Sequence, residues 1–469
     1  MIGRGVLAAT ILGSGMAFLD STIANVATRK IGEQFNADFG ALQWVLNGYT
    51  LPLASLILLG GALGDRLGRR RVYLIGVVWF AAASLLCAIA PNVEVLIAAR
   101  ALQGVGGALL TPGSLSIISA TFVEDDRAAA VGAWSGLGGV SAAIGPFLGG
   151  WLVEDVSWRW AFAINVPLAV VVVVLGMRFI PESRAHEQRH LDLPGTVLVA
   201  AALAALTYGT TEAGSSGWHA VTITATATGI LLLAAFVLVE RSTREALVPP
   251  ALFADRTFTG TNLMTFATYG AMGALFFVLV LHLQVSAGYG PLAAGIATLP
   301  ATVMLLLLSA RSGRLATRIG PRLQLTVGPL LAAGGLALLL RIDPAHRNYV
   351  TDVLPGIALF GLGMASLVAP LTATVMGSAP GDEVGIASGV NNAVARAAAL
   401  LAVAVLPPLA GLHGDNYRVV DSMVHGFRIV TLCCIGLLVV AAGVVVLTVR
   451  PGPALTPPGE LATTRRRSP

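Results

Sequence analysis

Apolar residues run through this chain in long blocks separated by short polar breaks. Fourteen blocks are long enough to cross a bilayer as helices of about 20 residues. They lie at 5–27, 40–63, 72–91, 94–121, 129–152, 159–180, 194–212, 219–240, 258–284, 291–310, 323–341, 350–376, 385–408 and 426–449. The block at 40–63 is diluted by Gln43, Asn47 and Tyr49, and that at 385–408 by Asn391, Asn392 and Arg396. The pattern predicts an all-α integral membrane protein with 14 transmembrane helices.

The polar breaks carry a repeat. Gly61 to Arg71 reads GALGDRLGRRR, and Gly313 to Arg322 reads GRLATRIGPR. Gly61 aligns with Gly313, Gly68 with Gly320, Arg66 with Arg318 and Arg70 with Arg322, while Asp65 faces Thr317. GVGGALLTP, ending at Pro112, is echoed by GMASLVAP, ending at Pro370. The longest polar linkers, Pro181 to Leu193 and Arg241 to Thr257, bracket the seventh and eighth blocks. Without that pair, six blocks precede and six follow, each six with the basic repeat after its second block. The expected organisation is two pseudo-symmetric six-helix bundles, residues 1–180 and 258–449, joined by a linker of two extra spans at 181–257. A Pro-, Thr- and Arg-rich tail at 450–469 is expected to be disordered and cytoplasmic.

Composition narrows the class. Of 469 residues, 56% are hydrophobic and only 11% charged, against about 25% charged in soluble domains. The mean hydropathy is +0.81, the net charge +5 and the pI near 9.4. Arginine supplies nearly all the positive charge, and Lys30 is the only lysine. With the N-terminus inside, 20 basic residues fall on the cytoplasmic side, 7 outside and 2 within spans, a positive-inside bias. That asymmetry explains the pI without nucleic acid as a partner. It predicts a multi-pass protein of the cell membrane with both termini cytoplasmic. Cys87, Cys433 and Cys434 fall in apolar blocks without ligand or disulfide spacing. No HExxH, GxSxG or nucleotide-binding loop occurs, so neither an enzyme, a metal nor a cofactor is expected.

A few polar residues break the apolar blocks. Asp20 lies about 22 Å from the inner end of the first span, where a carboxylate costs about 2.5–3.5 kcal/mol on insertion scales. It is a candidate proton carrier, or else a structural acid fixed by hydrogen bonds. Arg100 in the fourth span is its candidate counter-charge, or else a brace between helices. Sequence leaves a direct contact between them open. Ser141, Gly145 and Gly149 recur every fourth residue beside Pro146 and Gly150, a small-residue face that lets helices approach closely. Candidate cavity-lining residues are Trp44, Tyr49, Gln103, Gln284, Asn391, Asn392 and Arg396. The same groups would serve equally as cross-helix bonds, and the aromatic ones as interface anchors.

GALGDRLGRRR resembles the signature motif of the major facilitator superfamily. FLDSTIANVA, AARALQGVGGALLTP, GVSAAIGPFLGG, LQVSAGYGPLAAGIATLP and ASGVNNAVAR are similar, in the right order, to motifs of its fourteen-span drug:proton antiporters. The resemblance implies proton coupling through Asp20 and Arg100. It also implies an exporter's antiporter motif at Ser141, Gly145, Pro146, Gly149 and Gly150. Gly61, Asp65, Arg66, Gly68, Arg69 and Arg70 would form a latch that stabilises the outward-open state. Thr317 and Pro321 depart from that pattern in the second copy, so only the first would keep a complete latch. Some members of that family that export dications carry an extra intramembrane acid in the second half; the tenth span carries none, so the resemblance implies substrates other than dications. The expected function is proton-coupled export of small amphipathic compounds, that is, multidrug efflux by a monomer driven by the proton gradient. Alternatives are a dedicated exporter of one metabolite, antibiotic or lipid and, less favoured, an uptake symporter.

Overall fold

The computed structural model describes residues 2–184, 192–243, 248–345, 348–380 and 383–450; the expected disordered tail lies outside them. Fourteen long helices follow one another among the described residues. They are α1 (Ile2–Phe35), α2 (Phe39–Leu67), α3 (Arg69–Ala88), α4 (Val93–Thr121), α5 (Glu124–Trp151), α6 (Trp160–Phe179) and α7 (Leu193–Ser216), then α8 (Ala220–Ser242), α9 (Arg256–Val285), α10 (Pro291–Ile319), α11 (Pro321–Leu339), α12 (Tyr349–Gly377), α13 (Val384–Leu409) and α14 (Val420–Thr448). Thirteen are long and apolar enough among the described residues to cross a membrane, and α5, with 28 residues, is the other long helix. The chain is a multi-pass membrane protein.

Short polar residues mark where helices start. Asp38, Asn92, Asp192 and Asp255 accept from the amides of Ala41, Val95, Gly195 and Phe258 at the starts of α2, α4, α7 and α9, satisfying donors that a helix start leaves free. α1 closes with Asn36 at φ 49°, and Ala37 N–H returns to the Gly32 carbonyl at 3.0 Å. α1 runs eight residues past the apolar block that predicts it, because its polar last turns stay helical, with Arg29 paired to Glu33 at 2.8 Å.

The glycine–arginine repeat, a polar break between spans in the sequence, forms no loop. α2 continues to Leu67, Gly68 alone turns the chain at φ 116°, and Arg69 starts α3. Gly320, at φ 80°, does the same between α10 and α11. A single glycine suffices because only it takes that backbone region cheaply. The two copies also share a contact. Arg70 donates to the Ile180 carbonyl at the end of α6 (3.2 Å), and Arg322 donates to the Val446 carbonyl near the end of α14 (2.7 Å). Each repeat arginine thus binds the carbonyl end of its own half's sixth helix, where a cation is favoured.

The halves pack by one plan. In the first, α1 packs on α5, α6 and α4, α2 on α4, and α3 on α4 and α6. In the second, α9 packs on α13, α14 and α12, α10 on α12, and α11 on α12 and α14. Two seams related by the same exchange join the halves, α5 with α10 and α2 with α13. The inserted pair breaks the symmetry. α7 packs against both α2 and α13, with Ala54, Leu203 and Leu400 forming a small buried cluster, and α8 packs on α7 outside it.

At the end away from the chain termini the halves are tied together. Gln284 donates to the Val26 carbonyl at 3.1 Å, and Arg29 donates to the carbonyl of Gln284. Tyr417 and Arg418 both donate to the Ala37 carbonyl, at 3.1 and 3.2 Å. Burial pushes the Tyr417 phenol above its ordinary pKa, so it stays a donor. Glu154 accepts from the amide of Leu292 at 2.8 Å, placing a carboxylate of one half on the N-terminus of α10 in the other.

Candidate functional site

Asp20 sits mid-way along α1, about 27 Å from its start and 22 Å from its end. It is 1% exposed and fully bonded. Oδ2 accepts from Arg100 Nη1 at 2.5 Å, and Oδ1 accepts from Gln103 Nε2 at 2.7 Å and Asn165 Nδ2 at 3.1 Å. Arg100, also 1% exposed, donates through Nε to the Val45 carbonyl at 3.1 Å and through Nη1 to Gln103 Oε1 at 2.6 Å. Its guanidinium lies over the Tyr49 ring at 4.5 Å and the Phe162 ring at 5.5 Å. Ser84 Oγ completes the cluster, accepting from Gln103 at 2.7 Å and Asn165 at 3.3 Å.

Helical spacing explains how these groups meet. Arg100 and Gln103 are three residues apart, so α4 presents both from one face. Pairing neutralises two charges that would each be costly alone at this depth. Asp20 accepts on both oxygens from N–H donors, an arrangement that suits an ionised carboxylate. A proton on either oxygen would displace one of these donors. Through these donors Asp20 bonds α1 to both α4 and α6.

The sequence-predicted residues fall into three groups. Asp20, Arg100, Gln103 and Tyr49 come together in the first half, so Gln103 and Tyr49 are buried against neighbouring helices and do not line open space in this conformation. Gln284, 1% exposed, likewise ties α9 to α1. Asn391 bonds Asn262 at 3.1 Å and Thr265 at 2.7 Å, joining α13 to α9. Trp44 and Arg396 are half-buried and Asn392 is exposed. Asn165 and Ser84 were not singled out from the sequence. The signal for Asn165 is an amide inside an apolar span; for Ser84, a small hydroxyl common in such spans, there is none.

The small-residue face of α5 serves two neighbours. Ser141 faces Gly15, and Gly145 and Gly149 face Thr22 and Ile23 of α1; a methyl group on Gly149 would lie 2.8 Å from Ile23 Cγ1. Gly150 meets Pro291 and Leu292, and Pro146 meets Gly295, across the α5–α10 seam. The expected latch residues bond within the first half. Asp65 pairs with Arg69 at 2.7 Å, Arg69 donates to the Ser116 carbonyl at 3.4 Å, and Arg70 lies 3.8 Å from Glu182. Gly61 has only ordinary contact with Pro112, Gly68 makes the turn, and Arg66 is exposed. Thr317 donates to its own helix at the Arg314 carbonyl. Among the described residues no group of three or more His, Cys, Asp or Glu is placed to hold a metal.

Comparison with known proteins identifies the family and the fold of the chain. The sequence profile of the Major Facilitator Superfamily matches residues 10–403. The chain is 35% identical over 453 residues to the puromycin resistance protein pur8 of Streptomyces alboniger, covering 93% of this chain and 88% of that one. It is 34% identical to the tetracenomycin C resistance and export protein of Streptomyces glaucescens, covering 88% and 77%. In fold it resembles a bacterial homologue of the human lysosomal transporter Spinster, crystallised inward-facing and unoccupied. The TM-score is 0.67 at 17% identity, over 95% of this chain and 97% of that one.

Proposed function

This chain belongs to the major facilitator superfamily, and we propose that it exports small amphipathic compounds across the cell membrane in exchange for protons. Relatives named for antibiotic resistance and export support the direction. The observation that carries the proton part is the sealed Asp20–Arg100 pair at mid-span. Alternating access supplies the route, by rocking of the two halves. Positive charge concentrates at the end bearing the chain termini, which supports a cytoplasmic side there. The ties from Glu154, Gln284 and Arg418 then close the outer side.

Asp20 takes a proton when the outer side opens and returns it when the inner side opens. While ionised it holds Arg100; once neutral it loosens the contact between α1 and α4. One charge crossing 100 mV supplies about 2.3 kcal/mol, enough for a roughly fifty-fold gradient of an uncharged substrate. The protein works as a monomer and needs no cofactor. In the outward-open state, Asp65 of the repeat leaves its own arginine and latches onto the second half.

Proteoliposomes with an imposed pH gradient, tested on a panel of lipophilic cations, neutral compounds and anions, check this reading. Wild type is expected to accumulate substrate uphill. Asp20→Asn is expected to retain downhill movement and lose the uphill component. Uphill transport unchanged in Asp20→Asn would remove Asp20 from the coupling. A second reading, a dedicated exporter of one antibiotic or metabolite, is favoured by relatives named for single compounds. Transport of a single chemotype from the panel would select it.

A further inference from the structure

The first half holds a groove that the transport mechanism leaves unused. It lies at the end bearing the chain termini, between the start of α3 and the end of α6. Arg70, Arg71, Leu74, Ile75, Met177 and Glu182 line it, and its volume is about 550 Å³. Leu74 closes it against α6: a methyl group on Gly176 would lie 2.7 Å from Leu74 Cδ2. Both walls continue into faces that meet lipid. On α3, exposed Arg71, Ile75, Val78, Ala82, Leu85 and Ile89 recur at steps of four and three, which makes one helical stripe. On α6, exposed Val170, Val174 and Met177 do the same. From Arg71 to Ile89 the stripe is about 27 Å long, close to the ~30 Å of a hydrocarbon core. Arg71 therefore stands at the level of the headgroups, with the apolar part of its stripe against the acyl chains.

The charges of the groove do not cancel. Glu182 serves Arg70: Oε1 accepts from the Arg70 amide at 3.1 Å, and Oε2 lies 3.8 Å from Arg70 Nε. Arg70 Nη1 donates to the Ile180 carbonyl at 3.2 Å. Arg71 is exposed and has no ion pair or hydrogen bond among the described residues. Two arginines and one carboxylate leave a surplus of positive charge at the mouth of an apolar cleft. A guanidinium stays protonated, and its planar fork matches the oxygens of a phosphate. Basic pockets between membrane-spanning helices at the bilayer surface recognise anionic headgroups by this chemistry.

We propose that this groove binds an anionic phospholipid of the adjoining leaflet. Arg71 holds the phosphate through paired hydrogen bonds, Ile75 and Met177 flank the start of an acyl chain, and Leu74 backs the cleft behind it. A zwitterionic lipid brings an ammonium of its own into a groove already in positive surplus, so the anionic headgroup is preferred. The lipid then bridges α3 and α6 beside the tie from Arg70 to the Ile180 carbonyl. The inference concerns the bilayer, not the cargo, and stands whether or not the export reading does.

The test uses the full chain in detergent and native mass spectrometry, with phosphatidylglycerol and phosphatidylcholine of identical acyl chains as probes. The readout is the dissociation constant of the first lipid bound. Wild type holds phosphatidylglycerol more tightly than phosphatidylcholine. Arg71→Gln weakens phosphatidylglycerol roughly tenfold, as loss of a charged hydrogen bond predicts, and leaves phosphatidylcholine unchanged. Arg71→Lys, which keeps the charge, keeps most of the preference. Ile75→Ser weakens both lipids by a similar factor, since it removes chain contact and no charge. Because Arg71 is exposed and unpaired among the described residues, Arg71→Gln keeps the wild-type melting temperature. Inorganic phosphate in excess, at matched ionic strength, leaves the lipid bound. Equal binding of the two lipids by wild type, an unchanged preference in Arg71→Gln, or displacement of phosphatidylglycerol by inorganic phosphate overturns the site.

Discussion

Asp20 and Arg100 are each 1% exposed, and neither has water to fall back on if the other is removed. Breaking a buried pair by deleting one partner costs about 3–5 kcal/mol, while replacing both costs much less. Asp20→Asn and Arg100→Gln are therefore each expected to lower the melting temperature in detergent. The double variant should melt above the sum of the two losses, with a coupling of about 2 kcal/mol. Strict additivity would show that the pair is not a unit. Asp20 was legible from the chain because a carboxylate deep in an apolar block is costly. Its partners Asn165 and Ser84 were not, since an amide or hydroxyl in a span is cheap enough to be incidental.

Among the helices, the two copies of the glycine–arginine repeat diverge in a way the chain shows and the structure explains. Both turn on one glycine and both tie an arginine to the sixth helix of their half. Only the first holds an acid, and that acid is paired with Arg69. A half-buried i,i+4 pair at the surface is worth on the order of 1 kcal/mol, so exchanging it for another partner is inexpensive and suits a switch. Asp65→Asn is expected to slow transport by up to about fivefold, the factor that ~1 kcal/mol gives. Thr317→Ala should stay near the wild-type rate, because Thr317 bonds only its own helix. Equal effects on initial rates would count against an asymmetric latch.

For the whole molecule, closure at one end decides which side is open. Glu154 supplies a carboxylate to the N-terminus of α10 across the seam, a contact worth about 0.3–1 kcal/mol. Glu154→Gln is expected to raise the outward-open population about two- to fivefold. Electron–electron distance measurements between labels on the two halves, at the end away from the termini, would read this as a growing long-distance component. An unchanged distribution would rule out Glu154 as a tie. The inserted pair also acts at this scale. By packing on both α2 and α13, α7 backs that seam with a further helix.

Hydropathy, charge bias and the sterics of glycine are properties of short stretches. That is why the chain alone determined the apolar spans and the depth of Asp20. Pairing between helices depends on how each is rotated and how closely it packs, which no local pattern encodes. Arg100 lies 80 positions from Asp20 and Asn165 lies 145 positions away, and only the assembled bundle brings all three together. The same holds for Gln284. Its polarity suggested a cavity wall, whereas packing turned it into a strut between the halves. Tertiary structure likewise decided that the Tyr49 ring lies under the Arg100 guanidinium at 4.5 Å, because α2 and α4 meet only in the assembled bundle.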